Sequence, residues 1–154
     1  MTTESPPEVP RPLAALMEEF AHADRAARVE LLLDCADRFE EAPTAIAARP
    51  YPDANRVTQC ESQAYVWGED RPDGTLKYHF AVENPQGLSA RAWAVILDET
   101  LSGQPLEQVA SVPGDVVFQV FGREVSMGRG EGLIGMLAVV QRLARERLHN
   151  RKSS

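Results

Sequence analysis

The sequence predicts an α+β fold, a small antiparallel sheet of about three strands with helices packed on one face. Three observations predict it. Apolar residues recur by three and four over Arg25 to Glu41 and again from Leu133 to Ala144. Alternating apolar runs flank Arg71-Pro72-Asp73-Gly74, whose Asp-Gly is a strong hairpin signal. The order of these patterns keeps the strands apart from the helices, unlike a parallel α/β sheet. A chain of 154 residues suits one domain, and a fold of that size buries roughly two-thirds of its unfolded surface.

The first twelve residues hold Pro6, Pro7, Pro10 and Pro12 and read as an extended tail; residues 13–148 read as one domain and 149–154 as a C-terminal tail. Leu13, Leu16, Met17 and Phe20 share one face of a short helix, and Asp24 is placed to cap the next. That helix, from Arg25 to Glu41, turns Val29, Leu32, Leu33, Ala36 and Phe39 to the core and stops at Pro43. Residues 43–56 lack a period and read as an irregular connection along the surface. Ala64 and Val66, then Leu76, Tyr78, Phe80 and Val82, form an antiparallel pair. A helix from Ser89 to Leu101 carries Ala92, Trp93, Ile96 and Leu97, closed by Gly103 and Pro105. Val116 to Phe121 is β-branched and aromatic, yet a run so short fits a strand or a buried helical turn equally. The last helix ends among Arg142, Arg145, Arg147 and Arg151, where cations favour the negative end of the helix dipole.

Composition excludes several functions. At 44% hydrophobic and 25% charged residues the chain is neither disordered nor fibrous. A net charge of -7 and a pI near 5.0 are the wrong sign for tracking phosphates or an anionic membrane. The N-terminus is acidic and proline-rich where a secretory signal would be basic and then apolar, and no apolar run approaches the roughly 20 residues that span a bilayer. A cytoplasmic protein is expected. Two cysteines are too few for a disulfide framework or a four-cysteine metal site.

Those two thiols differ in context. Cys35 lies at the edge of a helical apolar stripe, where cysteine serves as a small, inert hydrophobe. Cys60 follows the irregular connection and precedes the first strand, with no stripe to absorb it, so access and a rigid scaffold come together there. Three chemistries compete for it. A Cys-His hydrolase needs a base, and His79 is the histidine within a predicted strand, with Asp70, Asp73 or Glu83 to orient it. Metal binding is poorly served, because Cys35, Cys60, His22, His79 and His149 include no tight ligand pair. Thiol exchange or sulfur carriage needs only one accessible thiolate, and the inventory suits it best.

Val57-Thr58-Gln59-Cys60-Glu61-Ser62-Gln63-Ala64-Tyr65-Val66-Trp67 resembles the signature of the SufE family of cysteine desulfuration proteins, a Gly-Cys-x-Ser-x-Val-Trp-like segment around a sulfur-accepting cysteine. The resemblance continues in order through the Arg25–Phe39 helix, Asp73-Gly74, Gly103-x-Pro105, Phe118, Phe121-Gly122 and Ser126-Met127-Gly128-Arg129-Gly130-Glu131-Gly132-Leu133. It covers about residues 13 to 148. The sequence departs from the family at Gln59, where a glycine is usual, at Glu83-Asn84-Pro85, which replaces Ser-Asp-Ala, and at Glu131, which replaces an asparagine.

The resemblance implies a SufE/IscU-like fold with Val116–Phe121 helical. It implies a sulfur relay: Cys60 takes persulfide sulfur from a SufS-type cysteine desulfurase, stimulates that enzyme, and passes the sulfur to a SufBCD-type Fe–S scaffold. Arg129 matches the family's arginine and is expected to support the site. Arg56 is the cation nearest Cys60 in sequence, opposed by Asp53 and Glu61. The protein would be an accessory factor with no cofactor of its own, the pyridoxal phosphate belonging to the desulfurase, and a monomer or weak dimer. A carried persulfide needs shelter, so the Cys60 side chain is expected to rest against apolar groups. The alternative of another class is a module that regulates a desulfurase by docking alone.

Overall fold

Asp73 and Gly74 close the hairpin on which the rest of the domain is built. Gly74 takes φ +87°, a conformation that side chains resist, and donates its N–H to the Arg71 carbonyl at 3.0 Å. The Asp73 carboxylate accepts from the Thr75 hydroxyl at 2.6 Å and from its N–H at 3.0 Å. The turn joins β1 (Ala64–Asp70) to β2 (Leu76–Val82), antiparallel, with Val66 opposite Phe80 and Trp67 opposite His79. The computed structural model describes residues 9–58, 60, 62–122 and 127–152, and of residues 127–129 and 152 only the backbone. Its helices are α1 (Arg11–Ala21), α2 (Arg25–Asp37), α3 (Leu88–Leu101), α4 (Leu106–Ala110), α5 (Val116–Phe121) and α6 (Met127–Lys152), with a 3₁₀ turn at Asp53–Asn55.

Strand alternation gives the hairpin two faces. Ala64, Val66, Tyr78, Phe80 and Val82 turn into the main core, where α6 packs on β1 and α3 on β2. Tyr65, Trp67 and Ala81 turn the other way, and the segment from Ala42 to Tyr51 covers them. Tyr51 lies 5.1 Å, centroid to centroid, from both Tyr65 and Trp67, and Arg49 stacks over the Tyr51 ring while pairing with Glu41 at 2.7 Å. Residues 43–56, read from sequence as a surface connection, thus form a second cover for the sheet. The helices occupy one face, as expected.

Among the described residues the sheet has two strands. The third position is a single bridge from Arg56 to Tyr65, because the 3₁₀ turn that ends at Asn55 leaves Arg56 alone extended beside β1. The outer edge of β2 is capped piecemeal: Ala42 donates to the Phe80 carbonyl at 2.8 Å, Gly103 to the Leu76 carbonyl at 2.9 Å, and the Tyr78 N–H to Ser102 Oγ at 2.9 Å. Such capping removes the free pairing groups that make an edge strand a liability.

Asp24 caps α2 through the Ala27 N–H at 2.8 Å, as its position suggested. The helix ends at Asp37, however, four residues before the expected Glu41. Its apolar stripe is only partly covered, with Val29 and Leu33 51% and 41% exposed while Cys35 and Ala36 are buried. α5 is helical despite its β propensity, since Val116, Val117, Val120 and Phe121 are all buried where α5 meets α1 and α6. α6 continues to Lys152, past residue 148, and Arg11 and Pro12 belong to α1.

Candidate functional site

The Cys60 loop is short and twice turned. Val57, 1% exposed, donates its N–H to the Ala64 carbonyl at 2.9 Å, which folds the chain back on the start of β1. Cys60 donates its N–H to the Val57 carbonyl at 3.2 Å, and Gln63 donates to the Cys60 carbonyl at 3.3 Å. Gln63 itself takes φ +54°, an uncommon conformation for a residue with a side chain, and hands the loop into the strand. Beyond the last strand pair, Glu83 donates to the Gln63 carbonyl and Asn84 to the Ser62 carbonyl, each at 3.1 Å, so the ladder extends into the loop. Cys60 is 8% exposed and belongs to the main core cluster. The thiol rests against apolar groups. Gln59 and Glu61 lie outside the described residues.

Arg56 is exposed and bridges Tyr65 through its backbone; burial pushes the Tyr65 phenol up, reinforced by Glu83, and the Arg56 charge opposes that shift. No hydrogen bond joins it to Cys60 among the described residues. Arg129 falls in the first turn of α6, and its side chain lies outside the described residues, as do residues 123–126 of the same segment. Further along α6, Leu133 and Met136 are buried at 2% and 0% exposure.

The parts of a Cys-His hydrolase are not brought together. His79 stands opposite Trp67 on the outer face of the hairpin, whereas Cys60 belongs to the core on the inner face. Its Nε2 meets Glu69 at 2.9 Å. Glu69 was not among the expected orienting acids; the register centred on Asp73-Gly74 places it diagonally from His79, a relation readable once the hairpin is drawn. Asp70 instead pairs with Arg147 at 2.7 Å, Asp73 holds its own turn, and Glu83 faces Arg49 at 3.4 Å. Among the described residues no three His, Cys, Asp or Glu side chains are grouped to hold a metal.

Cys35 is 5% exposed, and Arg38 Nη2 lies 3.7 Å from its Sγ while the same guanidinium forks onto Glu99 at 2.9 and 3.0 Å. Burial pushes the Cys35 thiol up, with Arg38 opposing the shift. A protonated, buried thiol is core filling, as its place on α2 suggested.

The fold and the loop together define an α+β domain that presents one sheltered cysteine at the mouth of a hairpin. The sequence model of the SufE family, described as an Fe-S metabolism associated domain, matches residues 14–144. The chain belongs to the SufE family, and its role lies in Fe–S metabolism. It is 26% identical over 143 residues to an uncharacterized SufE-like protein of Mycobacterium tuberculosis, in each of two strains, covering 92% of this chain and 97% of that protein. The solution structure of a hypothetical protein from Thermus thermophilus superposes with a TM-score of 0.71 at 26% identity, covering 92% of this chain and 99% of that one. No described helix is long and apolar enough to cross a membrane.

Proposed function

We propose that this protein accepts persulfide sulfur on Cys60 from a cysteine desulfurase and delivers it to an Fe–S cluster assembly scaffold. In the accepting step the Cys60 thiolate attacks the outer sulfur of the donor's persulfide. A sulfur–sulfur bond forms at Cys60, the donor's own sulfur–sulfur bond breaks, and the donor cysteine leaves as a thiolate. One sulfur atom moves and no external oxidant or reductant is consumed. Delivery repeats the exchange with Cys60 as donor.

The observation that carries this reading is the placement of Cys60 in a SufE domain: a lone loop thiol, 8% exposed, held between turns at the end of a rigid hairpin, with His79 on the other face. A triad or a metal would need partners there; sulfur exchange needs a thiol that can be sheltered and then presented. Arg129 is proposed to assist by favouring the thiolate.

Incubation with a desulfurase and cysteine followed by peptide mass mapping tests the reading. A gain of about 32 Da, the mass of one persulfide sulfur, is expected on Cys60. It should vanish in Cys60→Ser and persist in Cys35→Ser. An adduct on Cys35 alone would overturn the assignment, and full stimulation of the desulfurase by Cys60→Ser would mark a docking module instead.

A further inference from the structure

The cysteine loop does not hold its position unaided. Its exit, Ser62-Gln63, hangs by two backbone hydrogen bonds from Glu83 and Asn84, each 3.1 Å long, in the turn between β2 and α3. That turn is built tightly. Asn84 Oδ1 accepts the Gln86 N–H at 2.9 Å, and the Asn84 carbonyl accepts the Gly87 N–H at 3.0 Å. A Cβ on Gly87 would lie 2.8 Å from Val82 Cγ1 and 3.0 Å from Ser62 Cβ, so the turn and the cysteine loop touch without room for a methyl group.

Arg91 secures this turn from α3. Its Nη2 donates to the Asn84 carbonyl at 2.9 Å and its Nη1 to the Pro85 carbonyl at 3.0 Å. The residue stands in the first turns of α3, where the helix dipole is unfavourable to a cation and no acidic residue offsets it. The two carbonyls supply what that position lacks, and the planar fork spans both at once, which an ammonium does not.

We propose that Arg91 is a positioning residue for Cys60: by gripping the Asn84–Pro85 carbonyls it fixes the turn from which the cysteine loop hangs, and so keeps the thiol sheltered until a partner docks. The contacts run from Arg91 to Asn84, from Asn84 to Ser62, and from there two residues along the chain to Cys60. The inference deepens the sulfur-carrier reading and rests on it for its meaning.

The test needs no desulfurase. Native protein is treated with iodoacetamide, and alkylation of Cys60 and Cys35 is followed in the same sample by peptide mass mapping. In Arg91→Ala the Cys60 rate is expected to rise roughly tenfold relative to that of Cys35, the scale of losing a charge-assisted hold on a local opening. A purely structural role would loosen the whole core and leave this ratio unmoved, because Cys35 is buried in the same core cluster. Arg91→Lys keeps the charge and loses the fork, so it is expected to raise the ratio in the same sense, and it serves if Arg91→Ala does not fold. An unchanged ratio in either variant overturns the proposal. That failure would leave the carrier reading standing, whereas a sulfur adduct absent from Cys60 would remove the carrier reading and leave the alkylation ratio as measured.

Discussion

The indole N–H of Trp93 donates to the backbone carbonyl of Leu133 at 2.8 Å, deep in the core, and so fastens α3 to α6. Trp93 is fully buried and meets the Phe121 ring edge-on at 5.6 Å, which draws α5 into the same junction. These three helices, all of which follow the hairpin, are therefore locked through one side chain.

Trp93→Phe should cost about 2–3 kcal/mol, combining a buried carbonyl left unpaired with the volume of the lost ring. For a domain of this length that lowers Tm by roughly 5–10 °C. Calorimetry checks it, and a Tm within a degree or two of the parent would mean that Leu133 finds another donor.

Tyr78 offers the opposite case. Its hydroxyl is buried with no hydrogen-bond partner among the described residues, and burial pushes its ionisation well above the usual tyrosine range. Tyr78→Phe should stabilise the fold by about 1 kcal/mol at neutral pH by removing an unsatisfied polar atom. The sign of the pH effect follows from linkage: above the ordinary value of 10.0 the unfolded chain releases this proton while the folded protein keeps it, so stability falls as pH rises. Denaturant titrations from about pH 8 to 11, a range set by the ordinary tyrosine pKa of about 10, should therefore show a shallower alkaline decline in the variant. Equal slopes would contradict this.

Cys35 should alkylate with a pH midpoint above the ordinary 9.0. Burial is the leading cause and Arg38 the leading opposition, so Arg38→Ala should move the midpoint further up. Cys35 destabilises the fold at alkaline pH in the same direction as Tyr78, since its thiol too keeps a proton that the unfolded chain gives up. A midpoint that falls on removal of Arg38 would show that the guanidinium shields the thiol more than it favours the thiolate.

Arg129→Ala should slow the appearance of persulfide on Cys60 by roughly three- to tenfold, the scale of losing a cation that favours a thiolate. The time course of the mass gain, sampled over the first minutes, reads it directly. A rate equal to the parent's removes Arg129 from the site.

The hairpin was legible because Asp73 and Gly74 demand a turn and the residues around it alternate between apolar and polar along β2. α3 and α6 were legible from their apolar spacing. The extent of α2 was not: Val29 and Leu33 keep the helical period, but whether a stripe is covered depends on neighbours distant in sequence. The same holds for the outer cover of the sheet, where Tyr51 comes from a segment without any period and is recruited by Tyr65 and Trp67 across the fold. The five-residue helix α4 is too short to leave a periodic mark. Within the candidate site, Cys60 stood out by the lack of an apolar stripe around it, although the thiol is packed into the core. The hold on its loop by Arg91 was invisible, since a guanidinium that binds main-chain carbonyls leaves no pattern in the side chains it serves.

The aromatic cover on the outer face has an optical consequence. The chain has two tryptophans, Trp67 and Trp93, and the sheet separates them: one is packed beneath Tyr51 on the strand that leads out of the cysteine loop, the other is sunk among the helices. Their emission colours should therefore respond to different events. A fluorophore at position 67, with 93 replaced by phenylalanine, would watch the hairpin side of the molecule while the helical core stays silent, and the complementary variant, with 67 replaced and 93 kept, would watch the helical core alone.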